Sequence, residues 1–188
     1  MRSDEVYRTV SRALNKIDNM PEHSRKALLS NLRRGIGRVP GDMPELWGIL
    51  LQDLPGELQS KNGTPTAGEW AVYLALTLYA LHQQGQGSAM NQPGISLGRA
   101  VRQLADPGSE PEESPSFRRF QTLLTASDIQ ETSHHLRGMI QLLRAKGIPL
   151  DYARLAKDLY KLQYAGSAPG VRLMWGQDYY TLQQDDTK

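Results

Sequence analysis

Arginine is the residue type that could do chemistry in this 188-residue sequence, and it recurs at helical spacing beside apolar stripes. After Asn19, Leu28, Leu32 and Ile36 form one stripe; Arg25, Lys26, Arg33 and Arg34 lie off it, and Arg38 follows. Arg99 and Arg102, three apart, share a face away from Leu97, Val101 and Leu104. Arg118 and Arg119 stand between Phe117 and Phe120, which face inward with Leu124. Further on, His134, Arg137, Gln141 and Arg144 make a row beside Ile129, Leu136, Ile140 and Leu143. Arg154, Lys157 and Lys161 make another beside Leu155, Leu159 and Leu162. Residues three or four apart are neighbours on a helix surface. A guanidinium is a planar fork of donors that matches phosphate, so such rows suit a sugar-phosphate chain. The competing explanation is the ordinary charged face of a helix. Against it, acids at matching spacings are missing from the Arg137/Arg144 and Arg154/Lys157/Lys161 rows, although Asp158 sits close.

Catalytic constellations are scarce. No Gly-rich phosphate loop is present, because the IGRVPG string lacks the strand such a loop must follow. Adjacent His134 and His135 point about 100° apart on a helix, whereas paired metal ligands sit at i and i+4. Glu22, Asp42, Glu45, Glu69 and Asp151 fall where helix caps and first turns need acids. Trp47, Trp70 and Trp175 each lie in an apolar run and are expected to pack inside. No enzyme activity, metal or cofactor is expected.

The absence of cysteine rules out disulfides and thiolate metal sites and fits a reducing cytoplasm. The first residues, MRSDEVYRTVSR, contain no apolar stretch, and the longest apolar run, Trp70 to Leu81, falls short of the ~20 residues a bilayer span needs. A cytoplasmic protein without membrane contact is expected. The net charge is only +2, but its distribution is uneven. Residues 1–40 hold nine Lys and Arg against four acids, and residues 41–95 hold one Lys against five acids. Such asymmetry points to a one-sided surface.

The elements that must position these cations are helical almost throughout, since apolar residues recur at helical spacing and strict alternation is nearly absent. About nine helices are predicted: Asp4–Asp18, one from Asn19 to Gly35, one from Asp42 to before Pro55, and one from Thr66 to beyond Leu81. Then come Ser96–Ala105, Ser116–Thr125, Ser127–Lys146, Asp151–Tyr164 and Pro169–Leu182. Asn19/Glu22, Asp42/Glu45 and Thr66/Glu69 have capping-box spacing. The helix from Thr66 is apolar around most of its circumference and should be a buried centre. Gly85–Gly94 reads as a flexible loop, and QQDDTK as a frayed end. DPGSEPEESPS, residues 106–116, is polar, acidic and proline-rich. It divides the chain into an N-terminal helical domain (1–105), an acidic linker or loop (106–116) and a C-terminal helical bundle (117–188). The expected class is all-α, as two small helical bundles that lean on each other or on partners.

Several strings occur in order along nearly the whole chain: ALLSNLRRGIGRVPGDMPELWGILL (27–51), GISLGRA (94–100), the Phe-Arg-Arg-Phe segment (117–120), HLRGMIQLLRAKGIPLDYARLAKDL (135–159) and VRLMWGQDYY (171–180). In this order they resemble the CasB family, the small subunit of the type I-E CRISPR Cascade complex. The resemblance implies an all-helical, two-domain, non-catalytic protein that associates with a second copy of itself. Other implied partners are the large subunit, the repeated backbone subunit, guide RNA and target DNA. The implied role is support of the R-loop, in which guide RNA pairs with one DNA strand and the other is displaced. On this basis the nucleic-acid-binding residues are Arg33, Arg34, Arg38, Arg99, Arg102, Arg118, Arg119, Arg137, Arg144 and Lys157. Two alternatives stand beside this assignment: Arg99 as a salt-bridge partner that orients the acidic loop, and Arg33 and Arg34 as caps on helix-end carbonyls. A different function class, a helical module that docks acidic protein partners without touching nucleic acid, uses the same basic faces.

Overall fold

The computed structural model describes residues 1–106 and 110–181. Its α-helices are α1 (Arg2–Asp18), α2 (Glu22–Arg34), α3 (Trp47–Leu51), α4 (Ala67–Gln83), α5 (Leu97–Arg102), α6 (Pro115–Leu124), α7 (Ile129–Lys146), α8 (Tyr152–Leu162) and α9 (Ala168–Tyr180). Short 3-10 turns occupy Pro44–Leu46, Gly56–Leu58 and Pro111–Glu113. Among the described residues there is no strand, only a bridge between Asn91 and Leu150. Among the described residues the all-α expectation and the number of helices hold.

Helix α4 is the centre, as its all-round apolarity predicted: Ala71 through His82 are buried, and α1, α2, α7 and α8 pack around it. Its start is the capping box predicted from spacing. Thr66 Oγ1 accepts from the Glu69 amide (3.1 Å), and the Glu69 carboxylate accepts from the Thr66 amide (2.8 Å). Helix α1 turns Val6, Val10, Ala13, Leu14 and Ile17 inward and lies against α8, whose Leu155, Ala156 and Leu159 are buried. The apolar core is therefore continuous from the first helix to the last.

The remaining helices complete the other side. Helix α5 crosses α9, and α6 lies on α7. Gly147 ends α7 in the left-handed conformation (φ 65°), as a helix stop requires. The segment from Gly85 to Gly94, expected to be a flexible loop, is instead tied to the chain before α8. Gln92 donates to the Leu150 carbonyl, Leu150 to that of Met90, and Gly94 to the Asp151 carboxylate. Asp151 therefore fastens this loop as well as capping α8, where it accepts from the Arg154 amide.

Two predicted caps did not form. Asn19 closes α1 rather than opening α2, and its side chain donates to the Asn15 carbonyl. Pro21 precedes α2, without a side-chain cap. Asp42 accepts from the Val39 amide in a turn, and Glu45 turns to Arg34. Trp47 was expected inside but is 47% exposed, anchored by its indole N–H to the Gly41 carbonyl. Trp70 is partly buried and Trp175 fully so. In the acidic segment, residues 107–109 lie outside the described residues; beyond them Ser114 caps α6 and Tyr180 donates to Glu112. The predicted frayed end likewise lies outside the described residues.

Candidate nucleic-acid interface

The ten cations singled out from the sequence divide by what holds them. Four positions are engaged within the chain. Arg34 Nη2 lies 2.9 Å from Glu45 Oε1 and 2.9 Å from Asn31 Oδ1. Arg38 Nε donates to the Arg34 carbonyl at 3.2 Å, so Arg38 caps a carbonyl at the end of α2. Lys157 Nζ sits 2.7 Å from Asp4 Oδ1, joining α8 to α1. That ammonium holds the Asp4 carboxyl below the usual carboxylate range. Arg99 Nε is 3.9 Å from Asp178 Oδ1, whose other oxygen accepts from Arg154 at 2.7 Å. Arg99 thus pairs with Asp178 on α9, not with the acidic loop that the alternative had it orient. The Arg154/Lys157 row, unbalanced in its own helix, is balanced by acids from α9 and α1.

Arg102 and Arg144 make weaker attachments. The Arg102 guanidinium lies 5.9 Å from the centroid of the Tyr179 ring. Arg144 Nη1 donates to Gln84 Oε1 at 3.1 Å. Arg33 is half-buried, and Arg118, Arg119 and Arg137 are exposed. Among the described residues, none of these four has a carboxylate within 4 Å.

Arg118 and Arg119 on α6 and Arg137 on α7 are exposed on two helices that pack against each other. Phe117, Phe120 and Leu123 bury one side of α6 and force the two arginines outward. Leu136, Met139, Ile140 and Leu143 do the same for α7 and Arg137. The two helices carry five Lys and Arg (Arg118, Arg119, Arg137, Arg144, Lys146) against one carboxylate, Glu131. Glu131 accepts from the Ser127 amide (2.6 Å) and hydroxyl (2.8 Å) at the start of α7, which hold its carboxyl low, and its other oxygen lies 3.7 Å from His135 Nε2. A carboxylate-poor face of this kind attracts polyanions and loses that attraction as salt rises.

Between α6 and α7 lies a groove lined by Arg119, Thr122, His134, His135, Gly138 and Met139. Thr122 and Gly138 were missed as candidates. Their spacings from Arg119 (three) and His134 (four) were readable, but the seating of one helix on the other was not. The histidine rings meet edge to face with centroids 5.4 Å apart. Among the described residues no three His, Cys, Asp or Glu gather where they could hold a metal ion, and no helix is long and apolar enough to cross a membrane.

Among the described residues the scaffold is all-helical, and its packed pair α6 and α7 carries five cations against one carboxylate. The family profile for CRISPR-associated protein Cse2 matches residues 28–180. The fold is similar to that of CasB from Thermobifida fusca, with TM-score 0.75, 30% identity, 96% of this chain and 98% of that chain covered. It is also similar to a chain in a structure described as a CRISPR RNA-guided surveillance complex, with TM-score 0.68, 22% identity and 95% and 93% covered. No curated protein sequence matches the chain. The chain belongs to the Cse2 (CasB) family, the non-catalytic small subunits of type I-E Cascade.

Proposed function

We propose that within Cascade this subunit stabilises the R-loop by lending the α6–α7 face to the sugar-phosphate chains of guide RNA, target DNA and the displaced strand. The observation that carries this reading is the exposure of Arg118, Arg119 and Arg137 on two packed helices that carry one carboxylate, Glu131, which is engaged by Ser127 and His135 and by none of these arginines. Arg33, Arg102 and Arg144 extend the set. Arg34, Arg38, Arg99 and Lys157 serve nucleic acid only by releasing or sharing an internal partner, and rank below the others.

Exchange of a DNA duplex for an RNA–DNA heteroduplex is nearly balanced in free energy, so backbone contacts from protein can tip it. Each cation set on a phosphate releases counterions, giving a log–log salt slope of about −0.7 to −0.9 per phosphate. Further partners in this reading are the large subunit, the repeated backbone subunit and a second copy of the chain.

The test is Cascade assembled with Arg118→Glu, Arg119→Glu and Arg137→Glu together. Retention of target DNA should fall by at least about tenfold at physiological salt, with a flatter salt dependence. The melting temperature of the isolated subunit should stay put, because exposed side chains without partners change stability by about 0.5 kcal/mol or less each. Unchanged retention would remove the α6–α7 face from the R-loop. It would favour docking of acidic protein partners instead.

A further inference from the structure

Gly138 stands in the interior of α7, where glycine costs about 0.5–1 kcal/mol relative to alanine. No close approach explains it: a Cβ built there meets nothing within 4 Å. Its φ does not lie in the left-handed region either. What the missing side chain leaves is space in the α6–α7 groove, about 240 Å³ in volume. The buried Met139 forms part of its floor. Arg119 and Thr122 border it from α6, and His134 and His135 from α7. The Thr122 hydroxyl donates to the Arg118 carbonyl at 3.1 Å, which leaves its oxygen free to accept. The Arg119 guanidinium has no carboxylate within ion-pairing distance among the described residues.

Resting on the proposed function, we infer that this groove is a nucleobase subsite, which receives one unpaired base of a single strand whose phosphates lie on Arg118 and Arg137. The chemistry fits. Imidazole planes such as those of His134 and His135 stack on a base of any sequence. A thioether makes favourable contact with aromatic rings. Arg119, as donor, and the Thr122 oxygen, as acceptor, line the same groove and can meet a base edge there. A duplex keeps its bases stacked and offers the groove none, so the subsite discriminates single strands from paired ones without reading sequence.

The experiment uses the full chain and three fluorescent probes at low salt: a 20-nucleotide oligothymidine, the same sugar-phosphate chain with abasic residues throughout, and a 20-base-pair duplex. The wild-type protein should bind oligothymidine about tenfold more tightly than the abasic chain, within the range aromatic stacking supplies per base. Gly138→Leu, which fills the groove at a position with open space, should erase that ratio. It should leave abasic and duplex affinities and the salt slope unchanged and should not lower the melting temperature. His134→Ala should reduce the ratio in part. An oligouridine probe should show the same dependence on Gly138 if the base rather than the sugar is held. Equal affinity of the wild-type protein for oligothymidine and the abasic chain would overturn the subsite and leave the phosphate-binding face standing. So would a ratio that Gly138→Leu leaves intact. Failure of the wild-type protein to bind any of the probes would overturn the face, and the subsite with it.

Discussion

His82 shows how a single residue couples this fold to pH. It is fully buried at the end of α4, with Nδ1 2.8 Å from the Tyr152 hydroxyl, and burial lowers its pKa from 6.5 to about 4. The unfolded chain takes up this proton near pH 6.5, the folded chain only near 4. Stability from neutral His82 is therefore complete above pH 6.5 and declines as pH falls toward 4, by about 1.4 kcal/mol per unit within that window. Chemical denaturation at pH 7.5 and pH 5 should show a loss of about 2 kcal/mol from this group, and His82→Gln should flatten the dependence. Asp158, whose carboxyl burial raises, acts with the opposite sign but is common to both proteins and cancels in their difference. Equal pH profiles for the two proteins would show that His82 carries no such linkage. The histidine's presence was legible in the sequence. Its burial was not, because the apolar helix that encloses it says nothing of Tyr152, seventy residues away.

Elements were legible where local signals were sufficient. The Thr66/Glu69 box, the buried α4 and the Gly147 stop all follow from a few neighbouring residues. Asn19/Glu22 had the right spacing and failed because Asn19 was already committed to the end of α1. Trp47 failed because α3 is a helix of five residues, too short to turn every apolar side chain inward. Glycines separate the two kinds of information. Gly98 in α5 looks like a poor helix residue, yet a Cβ there would lie 2.1 Å from the Trp175 carbonyl oxygen. Backbone of α9 occupies that place, and it cannot step aside as a side-chain tip would. Gly98→Ala should cost about 1–3 kcal/mol, as overpacking does, and lower the melting temperature by several degrees. Gly138→Ala should instead stabilise by about 0.5–1 kcal/mol, since only helix propensity changes. Calorimetry on the two variants checks both signs. A neutral Gly98→Ala would mean that α5 and α9 can part at little cost.

For the molecule as a whole, the sequence suggested two bundles divided at 106–116, while the packing runs across that division. Helix α1 rests on α8, α4 on α7 and α8, and the apolar cluster draws on both halves. Polar links add to it, among them Lys157 to Asp4, His82 to Tyr152, and the Gln163 amide to the Ala67 carbonyl at 3.0 Å. None was visible in the sequence, because each joins residues brought together only by the folded chain. Either half alone would expose the apolar faces of α1, α4 or α8. Exposed apolar surface costs about 25 cal/mol per Å², and a small bundle has little stability to spare. Unfolding should therefore be one cooperative transition, with far- and near-ultraviolet circular dichroism coincident in urea and calorimetric and van't Hoff enthalpies equal. Cutting the chain within 106–116 should leave the fragments associated, and neither should give a cooperative transition alone. Two separated transitions, or a residue 117–188 fragment that melts sharply by itself, would instead show that the acidic segment divides the chain energetically. The α6–α7 face would then ride on a bundle able to move relative to α1 and α4. A single transition means that the face has a fixed position on the subunit, which is what a rigid track for a sugar-phosphate chain requires.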